Sequence, residues 1–415
     1  MQRGDRLTLT IERPAAGGRM IARHEGAIVF VAGAIPGEVV EAEVEKVQRG
    51  TGWAITREIK DPSPDRLADA RDGACGGSVL AHIRYERQLA LKVAIIEDTL
   101  RRLGRITLEA PPGIVASPVD GYRMRARLHA RRGRIGFFRE GTHSLCDPAE
   151  TRQLQPRTVD VLRALAASLA TLPRETVAEI ELSENVSASE RALHLELAPD
   201  ADPSRLAAIT QVDGVTGVSC APPESRRTMD LWGSTTVSDT VHGVTLARSA
   251  RAFFQGNRFL LAPLVDHVLA QIADGPLLDL YAGVGLFSVP AAAHGRGPVT
   301  AVEGDRFAAG DLRLNAAQRD DVEVRVDAVE DYLARPTTRP GSVIVDPPRT
   351  GLSTLALTGA IALRSPRLVY VSCDVATLAR DARRLIEAGY RIVSVRAFDL
   401  FPNTAHVETV IAFAR

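Results

Sequence analysis

Short stretches in which apolar and polar residues alternate fill the first sixty positions of the chain. From Asp5 to Ile59 these stretches are separated by glycines, and Pro36-Gly37 marks a turn between two of them. Period-two alternation between such turns is typical of strands with one buried face. The pattern predicts a small antiparallel barrel over residues 1–60, followed by the proline-containing linker DPSPD.

The middle of the chain mixes helical and strand-like periodicity. Apolar residues at nearly helical spacing predict a helix from Tyr85 to Arg105, and a second helix is expected over Val159 to Leu172. The segment YRMRARLHARRGRIGFFREG alternates like a β-hairpin. We therefore expect an α+β domain over residues 61–230. The apolar positions of the first helix are Leu89, Val93, Ile96, Leu100 and Leu103.

The last part of the chain changes to strands that are apolar throughout, each followed by a helical stretch. The strands are PLLDLYAG, PVTAVEGD, GSVIVDPP, RLVYVSCD and ETVIAFA. Continuous apolar strands that alternate with helices indicate a mostly parallel sheet covered on both faces. Residues 231–415 are thus predicted to form a doubly wound, Rossmann-like α/β domain, and the protein to be multidomain.

Composition narrows the class of protein. The chain has 415 residues, is 45% hydrophobic, and balances 51 basic against 51 acidic residues. An RNA partner would therefore have to be recognised by locally clustered charge. The four cysteines are too few for a secreted disulfide scaffold, and no apolar run reaches the roughly 18 residues of a membrane helix. We expect a cytoplasmic protein without membrane contact.

A strand that runs into Gly283 and Gly285 and then into a helix is typical of a nucleotide-binding turn, although a tight turn without a ligand has the same pattern. Glu303 ends the next strand about twenty residues later, where a carboxylate can accept hydrogen bonds from two ribose hydroxyls. Asp327 could meet an adenine edge or could cap a helix. The third glycine of pyrophosphate binders is missing, which favours S-adenosylmethionine over a dinucleotide.

Three further residues follow or precede strands of the same domain. Asp346 begins the sequence DPPR directly after a strand, at the sheet edge where α/β proteins bind ligands. Cys373 ends the following strand, where a thiol could act as a nucleophile, although most lone cysteines are structural. Glu408 precedes the last strand, where a surface carboxylate is the ordinary alternative. Together with the cofactor pocket they make a covalent mechanism with proton transfer possible.

The predicted hairpin is rich in arginine and lacks acidic residues until Glu140. Arginines next to aromatic residues suit phosphate contact and base stacking in single-stranded RNA, whereas a solvated charged strand is the commoner fate of a basic run. We favour RNA binding because clustered charge of one sign raises the local potential. The candidate RNA-binding residues are Arg123, Arg125, Arg127 and Arg132.

The segments FFQGN, DLYAGVGLF, VIVDPPRTGL, LVYVSCDVATLARD and FDLFPNTAHVETV, in this order, resemble the RNA uracil-5-methyltransferase family, and FVAGAIPGE resembles the OB-like TRAM domain. The resemblance implies a class I methyltransferase domain in which Cys373 attacks C6 of uracil and C5 takes a methyl group from S-adenosylmethionine. Glu408 would then remove the C5 proton. The residues implied to line the cofactor and uracil pockets are Gln255, Tyr281, Glu303, Asp327 and Asp346.

Many members of that family hold a four-iron four-sulfur cluster with four cysteines. Here Cys75 and Cys146 remain, but Asp69 and Ser78 occupy two of the cysteine positions. Because such clusters are held chiefly by four thiolates, we expect a domain without a cluster or other metal, in which the two cysteines pack as ordinary residues.

Three other functions compete with uracil-C5 methylation of ribosomal RNA. A transfer-RNA uridine methyltransferase shares every motif named above. A methyltransferase acting on an exocyclic amine or a protein glutamine would typically show NPPY where this chain has DPPR. A non-catalytic RNA-binding protein with a vestigial methyltransferase fold would not need both Cys373 and Glu408. We expect a monomer that acts on 23S rRNA.

Overall fold

The computed structural model describes residues 1–172, 176–199, 201–206, 212–222, 227–335 and 339–415. Within these ranges the strands form a closed five-stranded barrel, a seven-stranded sheet, a two-stranded ribbon and an eight-stranded sheet. No helix among the described residues is long and apolar enough to cross a membrane.

The barrel forms where alternation predicted it, and it closes in the order β1-β2-β3-β5-β4. Its neighbours pair antiparallel except β3 and β5, which are parallel, so the barrel is not antiparallel throughout. Pro36-Gly37 makes the turn between β3 and β4, with Gly37 at a φ of 98°. The strands are β1 (Arg6–Pro14), β2 (Met20–His24), β3 (Ala27–Ala32), β4 (Val39–Gln48) and β5 (Thr51–Asp61).

The predicted linker is held against the barrel. The Glu38 carboxylate is fully buried and accepts hydrogen bonds from the Arg66 guanidinium at 2.6 Å and from the Ser63 N–H at 3.1 Å. Because a buried carboxylate is stable only with such partners, Arg66 fixes the path of the chain out of the barrel. The hydrogen bonds and the ion pair keep the pKa of Glu38 below its usual value although burial acts to raise it.

The predicted first helix forms as α1 (Tyr85–Thr99), and a π-helical turn continues it over Leu100–Gly104 before the short strand β6 (Gly113–Val115). The buried face agrees with the predicted one at Ile96 and Leu100 and differs from it elsewhere. Leu89 and Val93 are only half-buried and Leu103 is 49% exposed, whereas Gln88 and Lys92 are buried. The helix lies between the barrel and the last sheet, and Leu91 packs in the barrel core while Ile96 packs in the core of the last sheet.

The central sheet has the order β13-β12-β11-β10-β7-β8-β9, and its neighbours pair antiparallel except β11 and β12. Its strands are β7 (Arg125–Arg131), β8 (Arg134–Phe138), β9 (Leu145–Cys146), β10 (Val177–Glu184), β11 (Arg191–Leu197), β12 (Gly217–Ala221) and β13 (Met229–Gly233). The hairpin β7–β8 is the predicted one. The described residues of this region include the helices α2 (Pro148–Thr151) and α3 (Pro156–Leu169). The predicted range Val159 to Leu172 starts and ends three residues later than α3.

The last sheet has the order β18-β17-β16-β19-β20-β22-β21-β6. Strands β16 to β20 pair parallel, and β22 lies antiparallel between β20 and β21. The ribbon β14 (Thr236–Val241) with β15 (Val244–Ser249) precedes it. The strands are β16 (Leu277–Leu280), β17 (Val299–Val302), β18 (Val322–Arg325), β19 (Ser342–Val345), β20 (Arg367–Ser372), β21 (Arg391–Phe398) and β22 (Glu408–Ala414).

Helices cover this sheet on both faces, as the continuous apolar strands predicted. They are α4 (Leu261–Gln271), α5 (Ser288–Ala293), α6 (Arg306–Ala316), α7 (Val329–Leu333), α8 (Thr354–Ala362) and α9 (Val375–Glu387). The earlier strand β6 pairs parallel with β21, and α1 packs against α9. Residues 85–115, which the sequence boundaries put in the central domain, thus contribute to the last sheet.

A buried ion pair joins α1 to the segment before the last strand. Lys92 and Asp399 are both fully buried, and the Lys92 Nζ donates to Asp399 Oδ1 at 2.5 Å and to the Phe401 carbonyl at 3.0 Å. Burial lowers the pKa of Lys92, and the Asp399 charge opposes that shift. Each charge needs the other because an unpaired buried ion is far less stable than a hydrated one.

Cys75 and Cys146 do not pack as ordinary residues, contrary to our expectation from the sequence. They form a disulfide with a Cα–Cα distance of 5.9 Å that closes a loop across 71 positions. Asp69 is exposed and Ser78 is buried, and no group of three or more His, Cys, Asp or Glu side chains in the described ranges is arranged to hold a metal ion. The sequence could not show this pairing because the two residues meet only when β9 docks beside the Cys75 loop.

We expect Lys92→Ala to lower the free energy of unfolding by about 3–5 kcal/mol, because it leaves the Asp399 carboxylate buried without its partner. Urea denaturation followed by far-UV circular dichroism measures the change. Lys46→Ala, which removes an exposed lysine of the barrel, is the control and should change stability by less than about 0.5 kcal/mol. A loss below about 1 kcal/mol for Lys92→Ala would contradict the buried ion pair.

The disulfide predicts the thiol content of purified protein. Under denaturing, non-reducing conditions two thiols, Cys220 and Cys373, should react with a thiol reagent, and all four cysteines should react after reduction.

Cys75→Ser should lower the free energy of unfolding by about 2–4 kcal/mol without reductant, since the cross-link restricts the unfolded chain. With reductant the wild type should approach the variant. Four reactive thiols in the unreduced protein would rule out the bond.

Candidate active site

The candidate site lies where the carboxyl ends of parallel strands meet at one edge of the last sheet. A cleft of about 930 Å³ opens there. Residues after β16, β17, β19 and β20 line it, together with the first residue of β22 and a segment that begins at Arg251. The sequence-predicted residues on its walls are Gln255, Tyr281, Glu303, Asp346, Cys373 and Glu408.

The turn after β16 brings backbone close to the cleft. Tyr281, Gly283 and Gly285 all have positive φ, at 61°, 58° and 94°. A Cβ on Gly283 would meet nothing within 4 Å, so the open space beside it is the cleft itself. A Cβ on Gly285 would lie 2.7 Å from Val289 and 2.8 Å from Leu312, so this glycine lets the turn approach the helices behind it.

Glu303 closes the turn from the next strand. Its carboxylate accepts hydrogen bonds from the Gly283 N–H at 2.7 Å and from the Asp305 N–H at 2.6 Å. These bonds hold the carboxylate at the cleft with lone pairs left for ligand hydroxyls. Burial raises the pKa of Glu303, while the backbone N–H groups oppose the shift.

Two more carboxylates are buried at this edge. Asp346 lies 3.5 Å from the Gln255 amide nitrogen, and burial raises its pKa to about 7. Burial likewise raises the pKa of Asp279, inside β16, to about 7, and the charges of Asp346 and Glu303 add to the shift. Because several carboxylates face one another in a low-dielectric site, a ligand with positive charge would stabilise their ionised forms. This acidic lining, with the glycine turn, fits S-adenosylmethionine, a nucleoside that carries positive charge.

Cys373 and Glu408 face the same cleft, from the end of β20 and the start of β22. These strands are antiparallel neighbours, with Ser372 opposite Thr409, so residue 373 and residue 408 end up side by side. Burial and the Glu408 charge raise the pKa of the Cys373 thiol to about 12. Burial also raises the pKa of Glu408 well above its ordinary value, and the Asp346 charge adds to this shift.

Arg349, the arginine of DPPR, is a site residue that the sequence argument did not assign. Its guanidinium lines the cleft, and its positive charge lowers the pKa of the thiol and of the Glu408 carboxyl, against the effect of burial. The sequence could have indicated this role, because Arg349 follows Pro347-Pro348 directly after the strand that leads to the cleft. Asp279, inside β16, is a buried carboxyl behind the cleft that does not itself line it.

Asp327 does not line the cleft. Both of its carboxylate oxygens accept hydrogen bonds from the Arg335 guanidinium, at 3.0 and 3.3 Å. Ala328, Val329 and Glu330 form that part of the wall instead. A role of Asp327 toward the adenine of the cofactor stays a prediction, since its neighbour Ala328 lines the cleft.

The structure divides the four candidate RNA-binding arginines into two pairs. Arg123 and Arg125 line the cleft, although Arg125 also pairs with Glu181 at 3.2 Å. Arg127 lies on the outer face of β7 and pairs with Glu181 at 2.7 Å, which compensates part of its charge. Arg132 is exposed in the turn between β7 and β8. The acidic partners come from β10, which the local sequence of the hairpin could not reveal.

Two aromatic residues at the mouth of the cleft were not assigned from the sequence. Phe253 is 62% exposed, and its ring lies 5.6 Å from the Arg125 guanidinium. Phe401 reaches the cleft from the segment that Lys92 holds. Aromatic rings near arginines, as Phe253 is near Arg125, are an arrangement on which nucleobases stack.

Comparisons with known proteins agree with this geometry. Residues 1–55 match the TRAM domain model, and residues 330–415 match the tRNA (Uracil-5-)-methyltransferase model. The 23S rRNA (uracil(1939)-C(5))-methyltransferase RlmD of Pseudomonas putida is 31% identical, covering 99% of this chain and 94% of that protein. The RlmD of Methylococcus capsulatus is 33% identical, covering 98% of this chain and 96% of its own length.

A solved structure shows the same fold. The chain superposes on the Pyrococcus abyssi tRNA (uracil-54, C5)-methyltransferase, in complex with S-adenosyl-L-homocysteine, with a TM-score of 0.80. The identity is 23%, and the match covers 98% of this chain and 99% of that one. Full-length identity above 30% to curated relatives, together with both domain models, identifies the protein: the chain belongs to the RNA uracil-C5 methyltransferase family.

Proposed function

We propose that this protein transfers a methyl group from S-adenosylmethionine to C5 of a uridine in 23S rRNA. The observation that carries the proposal is that Cys373 and Glu408 face one cleft with the glycine turn and Glu303. A nucleophile for C6 and a base for the C5 proton, both beside one bound pyrimidine, are what C5 substitution needs. The curated relatives named above act on uridine 1939 of 23S rRNA, and we extend that substrate to this chain.

The chain's own residues suggest how each ligand is held. Glu303 would accept hydrogen bonds from the ribose of S-adenosylmethionine, and the backbone at Gly283 would pass beside the ligand. Tyr281 and the buried Asp346 complete the wall, and Gln255 reaches Asp346 from the opposite side. When bound, S-adenosylmethionine supplies an electrophilic methyl group.

Cys373 begins the reaction on the uracil ring. The thiol gives its proton to water, and the thiolate adds to C6, so that a C6–S bond forms and the electron pair of the C5–C6 double bond becomes available at C5. C5 then takes the methyl group. Arg349 is the cation that favours the thiolate, because its charge opposes the rise in the pKa of Cys373 caused by burial and by Glu408.

Glu408 completes the reaction as the base. Its carboxylate accepts the proton of C5, the electrons of that C–H bond restore the C5–C6 double bond, and the C6–S bond breaks to release the thiolate. A carboxyl whose pKa is raised by burial accepts a proton more readily than an exposed one. This raised pKa therefore suits Glu408 to the elimination step.

Arg123 and Arg125 extend the proposed site toward the RNA. They line the cleft beside the reacting residues, where a phosphate next to the target uridine would pass. Arg132, exposed on the hairpin turn, and Arg127 would contact RNA farther from the cleft.

The proposal includes the organisation of the chain. We assign residues 1–60 to the TRAM barrel, 61–230 to an RNA-binding α+β region and 231–415 to a Rossmann-like class I methyltransferase domain. We also propose a monomer that works in the cytoplasm, where ribosomal RNA is matured. In that reducing compartment the Cys75–Cys146 bond would be open to reduction.

Mapping 5-methyluridine in ribosomal and transfer RNA, from cells with and without the gene, tests the substrate. We expect one uridine of 23S rRNA to lose its methyl group when the gene is deleted. Loss of a transfer-RNA methyl group instead would favour the tRNA alternative, which the solved relative from Pyrococcus abyssi represents. No change in either RNA would contradict the proposed substrate class.

We expect Cys373→Ala to abolish methyl transfer while S-adenosylmethionine still binds, because the thiol activates the uridine and does not hold the donor. Filter-based methyl transfer and isothermal titration calorimetry measure the two properties. Cys220→Ala, which replaces the buried cysteine of the central sheet, is the matched control and should keep the activity.

Glu408→Gln should methylate C5 and then accumulate a covalent protein–RNA complex visible on a denaturing gel. Normal release of methylated RNA by that variant would remove Glu408 from its role.

We expect Arg349→Gln to slow the alkylation of Cys373 by iodoacetamide several-fold at a fixed pH near 8. The positive charge of Arg349 lowers the pKa of the thiol, so its removal raises that pKa and leaves less of the reactive thiolate. Mass spectrometry of the peptide that contains Cys373 gives the rate. Arg364→Gln, an exposed arginine before the opposite end of β20, should leave the rate unchanged. Equal rates for all three proteins would place Arg349 outside the electrostatic field of the thiol.

A further inference from the structure

Arg123 is a cation on the wall of the cleft. The Arg123 guanidinium is half-buried, and its Nε donates to the Arg125 carbonyl at 2.9 Å while its Nη1 donates to the Gln153 Oε1 at 2.6 Å. Among the described residues no carboxylate forms an ion pair with it, in contrast to Arg125 and Arg127. A partly desolvated cation without a counterion is a binding site for an anion.

The side chain of Gln153 accepts a hydrogen bond from the Arg123 guanidinium. Its side chain is almost completely buried, and its Oε1 accepts from the Arg123 guanidinium and, at 3.3 Å, from the Tyr122 hydroxyl. The Arg123 N–H also donates to the Gln153 carbonyl at 2.9 Å. A neutral amide fixes the guanidinium without compensating its charge, which a carboxylate at the same position would do.

The other end of the amide is held by the Cys75 loop. The Gln153 Nε2 donates to the Gly76 carbonyl at 2.8 Å. The two glycines after Cys75 make this approach possible: a Cβ on Gly77 would lie 2.6 Å from the Gln153 amide, and a Cβ on Gly76 would lie 2.9 Å from the Phe138 carbonyl. The sequence CGGS thus serves close packing in this chain.

The disulfide supports both sides of this arrangement. It ties the loop before Gly76 to Cys146 of β9, and Cys146 pairs with Phe137 of β8. The Phe137 ring lies 5.3 Å from the Arg123 guanidinium. Gln153 and the Phe137 ring therefore fix the guanidinium from two directions, and both are anchored at the disulfide.

We propose that Gln153 is a positioning residue that presents the Arg123 guanidinium, uncompensated, to a phosphate of the substrate RNA. The proposal rests on the RNA contact of Arg123 proposed above and adds the residue that makes the contact possible. Gln153 does not touch the RNA; it acts through Arg123, so its contribution should appear in RNA affinity and in the salt dependence of that affinity.

The experiment measures KM for RNA at several salt concentrations, with a short transcript spanning uridine 1939 of 23S rRNA as the probe. Each phosphate contact in a single strand contributes about 0.7 to the slope of log affinity against log salt concentration. Arg123→Gln should lower that slope by about 0.7 and raise KM, with kcat nearly unchanged.

Gln153→Glu is the decisive variant. It keeps an acceptor for Arg123 but adds a carboxylate that compensates the charge, so the slope should fall by about the same 0.7 and KM should rise. Gln155→Glu is the matched control, because it adds the same charge two positions away, where the amide donates to the Gly121 carbonyl at 3.1 Å. Its slope should equal that of the wild type. The double variant Arg123→Gln/Gln153→Glu should show no further fall beyond Arg123→Gln alone.

The outcomes separate this inference from the function proposed above. If Arg123→Gln leaves the slope unchanged, Arg123 does not contact RNA and both proposals about it fail. If Arg123→Gln lowers the slope but Gln153→Glu does not, or if the two effects add in the double variant, the role of Gln153 is overturned while the RNA contact stands. Should Gln153→Glu not fold, Gln153→Met removes the acceptor without adding charge and must raise KM several-fold at constant kcat; an unchanged KM would likewise overturn the role.

Discussion

The buried contact between Lys92 and Asp399 sets the position of the segment that ends at Glu408, the proposed base. Lys92 donates to both the Asp399 carboxylate and the Phe401 carbonyl, and one turn earlier on α1 the Gln88 side chain exchanges two hydrogen bonds with Asn403. The segment therefore cannot shift without exposing or unpairing buried polar groups. Phe401 lies on the cleft wall and Glu408 begins β22 just beyond this segment, so a helix far away in sequence determines where the proposed base lies.

The cleft, like the contact between Lys92 and Asp399, brings several ionisable groups together away from water. Burial is the largest cause of the raised pKa of Asp279, Asp346, Cys373 and Glu408. The positive charge of Arg349 lowers the pKa of both Cys373 and Glu408 and so opposes the effect of burial. Positive charge brought by a ligand would oppose these shifts and favour the ionised forms on which the proposed chemistry depends.

In the region where the family resemblance implies four cysteines, this chain combines a disulfide with close packing of glycines. Two of the four cysteine positions are Asp69 and Ser78, and the two remaining cysteines are bonded to each other. The disulfide joins the Cys75 loop to β9, and the glycines beside it let Gln153 approach. The loop remains connected to the cleft through Gln153 and Arg123, although no metal-ligating group of side chains is found among the described residues.

Local sequence patterns were enough to predict several features of the fold. Period-two alternation predicted the barrel, apolar strands followed by helices predicted the last sheet, and the spacing of Gly283, Glu303, Asp346 and Cys373 predicted that these residues share one sheet edge, because parallel strands end on the same side. Only the tertiary structure decided which side chains of those elements meet. It turned Asp327 toward Arg335, paired Cys75 with Cys146, buried Lys92 instead of Leu89, and neutralised part of the basic hairpin with Glu181 from β10. Each of these contacts joins residues from separate parts of the fold or depends on how one side chain turns, and local periodicity carries no information about either.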